Sequence, residues 1–126
     1  MRRQTEEWLQ QALYDYDTAK IMRQSKRNVY AVLMCHMAVE KALKGLLFEV
    51  TEEIPPKTHS LIFLLNKAGK KPKADLGKFI IQLNDASVAT RYPEELKKLI
   101  LTYSDKLTDS IIKTTGEAIA WIKQEL

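Results

Sequence analysis

The segment from Asn28 to Val50 constrains the fold more than any other part of the chain. It holds no Pro, and Val29, Val32, Leu33, His36, Val39, Leu43, Leu46 and Val50 recur at helical spacing for about six turns. A stripe that long must be covered along its whole length by other apolar faces. Gly45 lies within it, where Gly costs about 1 kcal/mol against Ala. Close approach of a second helix is the physical reason to keep a Gly there.

The rest of the sequence supplies those covering faces. Thr5 to Gln24 reads as a first helix, with Thr5 as N-cap, Glu6 and Glu7 in the first turn, and Trp8, Leu9, Ala12, Leu13, Tyr16, Ala19 and Met22 forming its stripe. Thr51 to Lys57 contains Pro55 and Pro56 and must be an extended loop. Thr58 is suited to cap a short third helix reaching about Ala68, with Leu61, Ile62, Leu64 and Leu65 on its buried side. Gly69 and Pro72 end it. A fourth helix is expected from Ala74 to Ala89, carrying Leu76, Phe79, Ile80 and Leu83. Tyr92 precedes Pro93 and is pushed to extended backbone. Pro93, with Glu94 and Glu95 behind it, opens a last helix. Its stripe is Leu96, Leu99, Ile100, Tyr103, Leu107, Ile111, Ala118, Trp121 and Ile122, with Thr114, Thr115 and Gly116 as the expected point of a bend or split.

Four Gly and four Pro in 126 residues are too few for a many-turned β-sandwich. The expected fold is all-α, an up-and-down bundle of four long helices plus one short helix, in a single domain over residues 1–126. Apolar residues at 45% and charged residues at 29% argue against disorder. The single cysteine, Cys35, excludes an intrachain disulfide framework and suits a reducing cytoplasm, the expected location. The N-terminus is charged and then polar, unlike a signal peptide. Tyr30 to Cys35, the longest uncharged apolar run, falls far short of the about 20 residues a membrane span needs. A net charge of +4 and a pI of about 9.1 tolerate a polyanionic partner without demanding one.

No phosphate-binding Gly loop, paired-Cys motif, Asp-rich calcium loop or nucleophile elbow is present, and two histidines cannot make a three-His zinc site. Three polar clusters remain. In the first, His36, Glu40 and Lys44 step by four, drifting about 40° per step, and draw one polar line on an apolar helix, with Lys41 beside it. Functionally, a carboxylate could orient the histidine while lysines attract phosphate. Structurally, Glu40 and Lys44 are an i,i+4 pair worth about 0.2–0.5 kcal/mol and His36 is a satisfied core histidine. A metal reading of His36 with Glu40 is the weakest.

The second cluster, Lys57, Thr58 and His59, falls at a helix start where free N–H groups suit an anion, against a plain reading of Thr58 as cap. In the third, Arg91, Tyr92 and Pro93, a guanidinium fork and an aromatic face could meet a nucleotide, or the Arg could turn inward to tie the loop to Glu40 or to helix carbonyls. Lys70, Lys71 and Lys73 read as a solvated basic loop.

Taken in order, His36-x-Ala38-x-Glu40-Lys41-x-x-Lys44, Thr58-His59-x-Leu61 and Arg91-Tyr92-Pro93 closely resemble the HEPN family (higher eukaryotes and prokaryotes nucleotide-binding) in its small prokaryotic form. The resemblance implies a helical bundle that pairs into a homodimer and binds an ATP-like nucleotide without a required cofactor. It also implies a small nucleotidyltransferase as partner in a toxin–antitoxin-like module. His36, Glu40, Lys41, Lys44, His59, Arg91 and Tyr92 are then the expected ligand- or partner-binding residues, with none catalytic, none binding metal and no membrane involved. Other family members are metal-independent ribonucleases with an Arg followed, after four to six residues, by a His. Here the corresponding positions after Arg91 hold Leu96, Lys97 and Lys98, so the expected protein is not an enzyme. The alternative is an RNA endonuclease with an atypical site, in which Arg91 stabilises the phosphorane and His36 or His59 handles the proton.

Overall fold

A computed structural model describes residues 1–89, 92 and 96–126, with residues 87–89 described by backbone alone. Among the described residues there are six helices and no strand: α1 (Arg3–Gln24), α2 (Asn28–Thr51), α3 (Leu61–Ala68), α4 (Ala74–Ala89), α5 (Leu96–Thr102) and α6 (Asp105–Gln124). Four are long and two are short, so the bundle of four long helices is as expected and the number of short ones is not.

Helix α2 is the axle of the fold and packs against each of the other five. Its Val32, Val39, Leu43, Leu46 and Leu47 are fully or almost fully buried against Leu61 and Leu64 of α3, Ile80 of α4 and Ile122 of α6. Burying each such side chain is worth about 1.5–3 kcal/mol against leaving it in water. The α1–α2 contact is especially close at Gly45, where an added Cβ would lie 3.1 Å from Trp8 Cβ and 3.4 Å from Thr5 O. The expected close approach is therefore real, and α1 is the helix that makes it. Val50, at the end of the expected α2 stripe, is 51% exposed because the chain turns away immediately after it.

Several helix ends differ from the sequence expectation. Helix α1 starts at Arg3, and Thr5 is fully buried inside it instead of capping it. The cap of α3 is Ser60, whose hydroxyl accepts from Phe63 N–H at 3.1 Å, while Thr58 Oγ1 accepts from Ser60 N–H. The last segment breaks at Tyr103 and Ser104, well before Thr114. Ser104 Oγ accepts from Leu107 N–H and starts α6 anew, with Asp105 in its first turn. The freed carbonyl of Tyr103 is satisfied by Asn28 Nδ2 at 2.9 Å, and the same amide donates to Asp105. That contact bridges the break to the start of α2. The Pro93 helix start lies outside the described residues, and α5 begins at Leu96.

A groove of about 1020 Å³ separates α4 from α6, floored by Val32 and lined by Leu76, Phe79, Leu83, Ile111 and Trp121. Beyond its end, α5 exposes Leu96, Ile100 and Leu101. Among the described residues no helix is long and apolar enough to cross a membrane.

Candidate functional site

The polar line on α2 faces inward. His36 is fully buried, and Glu40 and Lys44 are only 6% and 7% exposed. Steps of four residues keep them on one face, and that face is covered by Trp8 of α1 and by the 52–60 loop. Glu52 in a left-handed conformation, followed by the Pro55-Pro56 pair, folds this loop back over α2.

Two hydrogen bonds fasten the returning loop. His36 Nε2 lies 2.9 Å from the His59 carbonyl, which can only accept, so the proton is on Nε2. His59 Nδ1 lies 2.9 Å from Glu40 Oε1 and donates to it. The other carboxylate oxygen, Oε2, accepts from Lys44 Nζ at 3.1 Å, the expected i,i+4 pair. His36 Nδ1 is 3.8 Å from Glu40 Oε1. Lys44 Nζ also stands 5.8 Å from the centre of the Trp8 ring, within cation–π range. Glu40 is thus the hub, with one buried cation and one surface imidazole on its two oxygens. Its charge is balanced by Lys44, and both oxygens are bonded, as a buried carboxylate requires.

His59 differs from the rest of the cluster, since its side chain is 68% exposed. With Nδ1 given to Glu40, the lone pair of the neutral ring belongs to Nε2, and among the described residues none bonds that nitrogen. Lys41 points elsewhere, pairing with Asp15 of α1 at 2.7 Å. Tyr92 is 54% exposed. Arg91 lies outside the described residues, and so does its expected meeting with Glu40.

The expected anion position at the start of α3 is already occupied by protein. Ser60 N–H, Leu61 N–H and Phe63 N–H donate to Thr58 Oγ1, Asn84 Oδ1 and Ser60 Oγ respectively. The capping reading of this segment is the one observed, with Ser60 as the cap. Among the described residues no group of three or more His, Cys, Asp or Glu could hold a metal ion. Asp15 and Asn84, both part of the surroundings of the site, belong to none of the three motifs. Asp15 carried a signal nonetheless, as a carboxylate between Ala12 and Ala19 on the buried stripe of α1. The α4–α6 groove includes none of the cluster residues and has no counterpart in the motifs.

The bundle with this arrangement of α2 and loop is also a recognised domain. Residues 5–126 match the HEPN domain. The chain belongs to the HEPN family. Its HEPN fold is similar to that of TT1696 from Thermus thermophilus, with a TM-score of 0.81 at 21% identity, covering 99% of this chain and 100% of that one. It is likewise similar to ST0689, an archaeal HEPN homologue, with a TM-score of 0.73 at 23% identity over 98% of both chains. No curated protein matches this HEPN sequence.

Proposed function

We propose that this HEPN protein pairs with a second copy of itself and serves as the nucleotide-binding, regulatory partner of a small nucleotidyltransferase, in a toxin–antitoxin-like module. The observation that carries this reading is the exposed His59 ring mounted on the buried Glu40–Lys44 pair. A chain that removes two charges from water to hold one surface imidazole in a fixed orientation has a ready contact point for a phosphate or a partner side chain. Exposed Tyr92 adds an aromatic face for a base, and Arg91 adds a guanidinium fork for a phosphate. Exposed Leu96, Ile100 and Leu101 on α5 support pairing of two copies, since apolar residues grouped on one short helix are better covered than wet. No cofactor enters this reading.

The test is a tagged pull-down from the native host with mass spectrometry, followed by ATP titration calorimetry of the purified protein. A small nucleotidyltransferase at near-equal stoichiometry, and ATP binding weakened by H59A, Y92A and R91A at unchanged melting temperature, are expected. A clean protein without that partner and without ATP binding would overturn it. A second reading, metal-independent RNA cleavage, is favoured by the free Nε2 of His59, which is what a general base must present. Cleavage of labelled RNA that survives chelator and vanishes in H59A would support it over the first.

A further inference from the structure

We propose that His59 is a phosphoryl-acceptor site, modified on Nε2 by an N-phosphoryl donor of the phosphoramidate class. A phosphohistidine on another protein belongs to that class, and phosphoramidate itself is its smallest member. The chemistry requires neither a bound nucleotide nor the nucleotidyltransferase partner.

An imidazole that accepts a phosphoryl group needs a lone pair on an accessible nitrogen, a tautomer that does not wander, and an anion to balance the cation formed. His59 meets each need. Its side chain is 68% exposed, so a donor can reach it. Its Nδ1–H is held 2.9 Å from Glu40 Oε1, which keeps the lone pair on Nε2. Glu40 is itself held by Lys44 at 3.1 Å and its side chain is 8% exposed, so it cannot swing out to water and leave the ring. The backbone of His59 is pinned as well, through its carbonyl, by His36 Nε2 at 2.9 Å. Ring and main chain are therefore both ordered before any donor arrives, which removes part of the entropy cost of the reaction.

In the step, the Nε2 lone pair attacks phosphorus and an N–P bond forms. The P–N bond of the donor breaks, and its electron pair leaves on ammonia. The ring becomes an imidazolium that still carries the Nδ1 proton, and that proton lies against the Glu40 carboxylate. Glu40 thus stabilises the product cation and is placed to take the proton from it, a positioning role that does not touch the donor. His36 is fully buried and serves as an internal control that no donor reaches.

The experiment is treatment of the purified protein with phosphoramidate, followed by peptide mass spectrometry and phosphorus NMR, with N-acetylhistidine as reference. One acid-labile, alkali-stable adduct is expected, on His59 and on Nε2 alone, forming about tenfold faster than on the reference. H59A abolishes it. E40Q lowers its rate by about tenfold and lets the Nδ1 isomer appear, since the amide no longer fixes the tautomer or balances the charge. A mixture of isomers in the unaltered protein, or a rate no greater than that of N-acetylhistidine, overturns the proposal even if E40Q fails to fold.

Discussion

Glu40 receives the Nδ1–H of His59 at 2.9 Å across 19 residues of sequence. This bond joins the middle of the central helix to the far end of the 52–60 loop, and Lys44 completes it from beneath. Stability and surface chemistry therefore meet at one carboxylate.

Removing that carboxylate alone leaves Lys44 buried without a counter-ion. E40A is expected to destabilise the fold by about 3–5 kcal/mol, and the paired change E40L with K44M by far less, because neither charge is then left behind. Urea unfolding of the single and double variants checks this. Equal losses in both would mean that packing, and not charge, governs the position.

Gly116 is in contact with the Tyr16 hydroxyl, which donates to Ile112 O at 3.0 Å. An added Cβ would lie 2.5 Å from that hydroxyl oxygen and 3.2 Å from Tyr16 Cζ. Ala at position 116 gains about 1 kcal/mol of helix propensity and loses about 1–3 kcal/mol to overpacking. G116A is thus expected to destabilise the unaltered protein and to be close to neutral in a Y16F background. A thermodynamic cycle of the four proteins measures the coupling, and additivity would refute the contact.

Asp105 accepts from Asn28 and Lys26, and these hydrogen bonds, with Arg23 nearby, hold its carboxyl below the usual 3.8. Glu49 is held low in the same way by the Arg2 backbone N–H. A depressed folded-state value means that the contribution is complete above the ordinary carboxylate range and is lost as pH falls through the folded value. Melting temperature followed into acid should decline more gently in D105N, which has no charge at that position to lose. An unchanged acid limb would exclude Asp105 as a contributor.

Burial pushes the Cys35 thiol up to about 11, although a hydrogen bond with Thr115 opposes the shift. Its thiolate is disfavoured in the folded state, so this contribution is full below the ordinary value of 9.0 and is lost as pH rises through the folded value. At neutral pH the native protein should not react with an aromatic disulfide reagent, and the urea-unfolded chain should react with one equivalent. Rapid labelling of the native protein would mean that α2 opens locally.

Helical periodicity made α2 legible, because apolar spacing is a property of the local chain, and Gly45 announced a close helix contact for the same reason. The Glu40–Lys44 pair was legible as well, since residues four apart on a helix must be neighbours. The break at Tyr103–Ser104 left a fainter trace. Ser104 and Asp105 are a capping sequence, but an apolar stripe running across them read as one continuous helix. What overrode that stripe was Asn28, which supplies the hydrogen bond that a broken helix lacks.

The sequence by itself determined the helical class, most of the helix spans and the residues able to do chemistry. Only the tertiary structure decided that His36, Glu40 and Lys44 face inward, that Lys41 is engaged by Asp15, and that His59 alone of the α2–loop cluster presents its ring to water. The physical reason is one of range. Spacing along a helix fixes which side chains share a face, but what covers that face depends on a loop that returns from many residues away and on a helix packed from the other side. A polar residue is buried only where those distant groups satisfy it, and no local pattern records which ones will arrive.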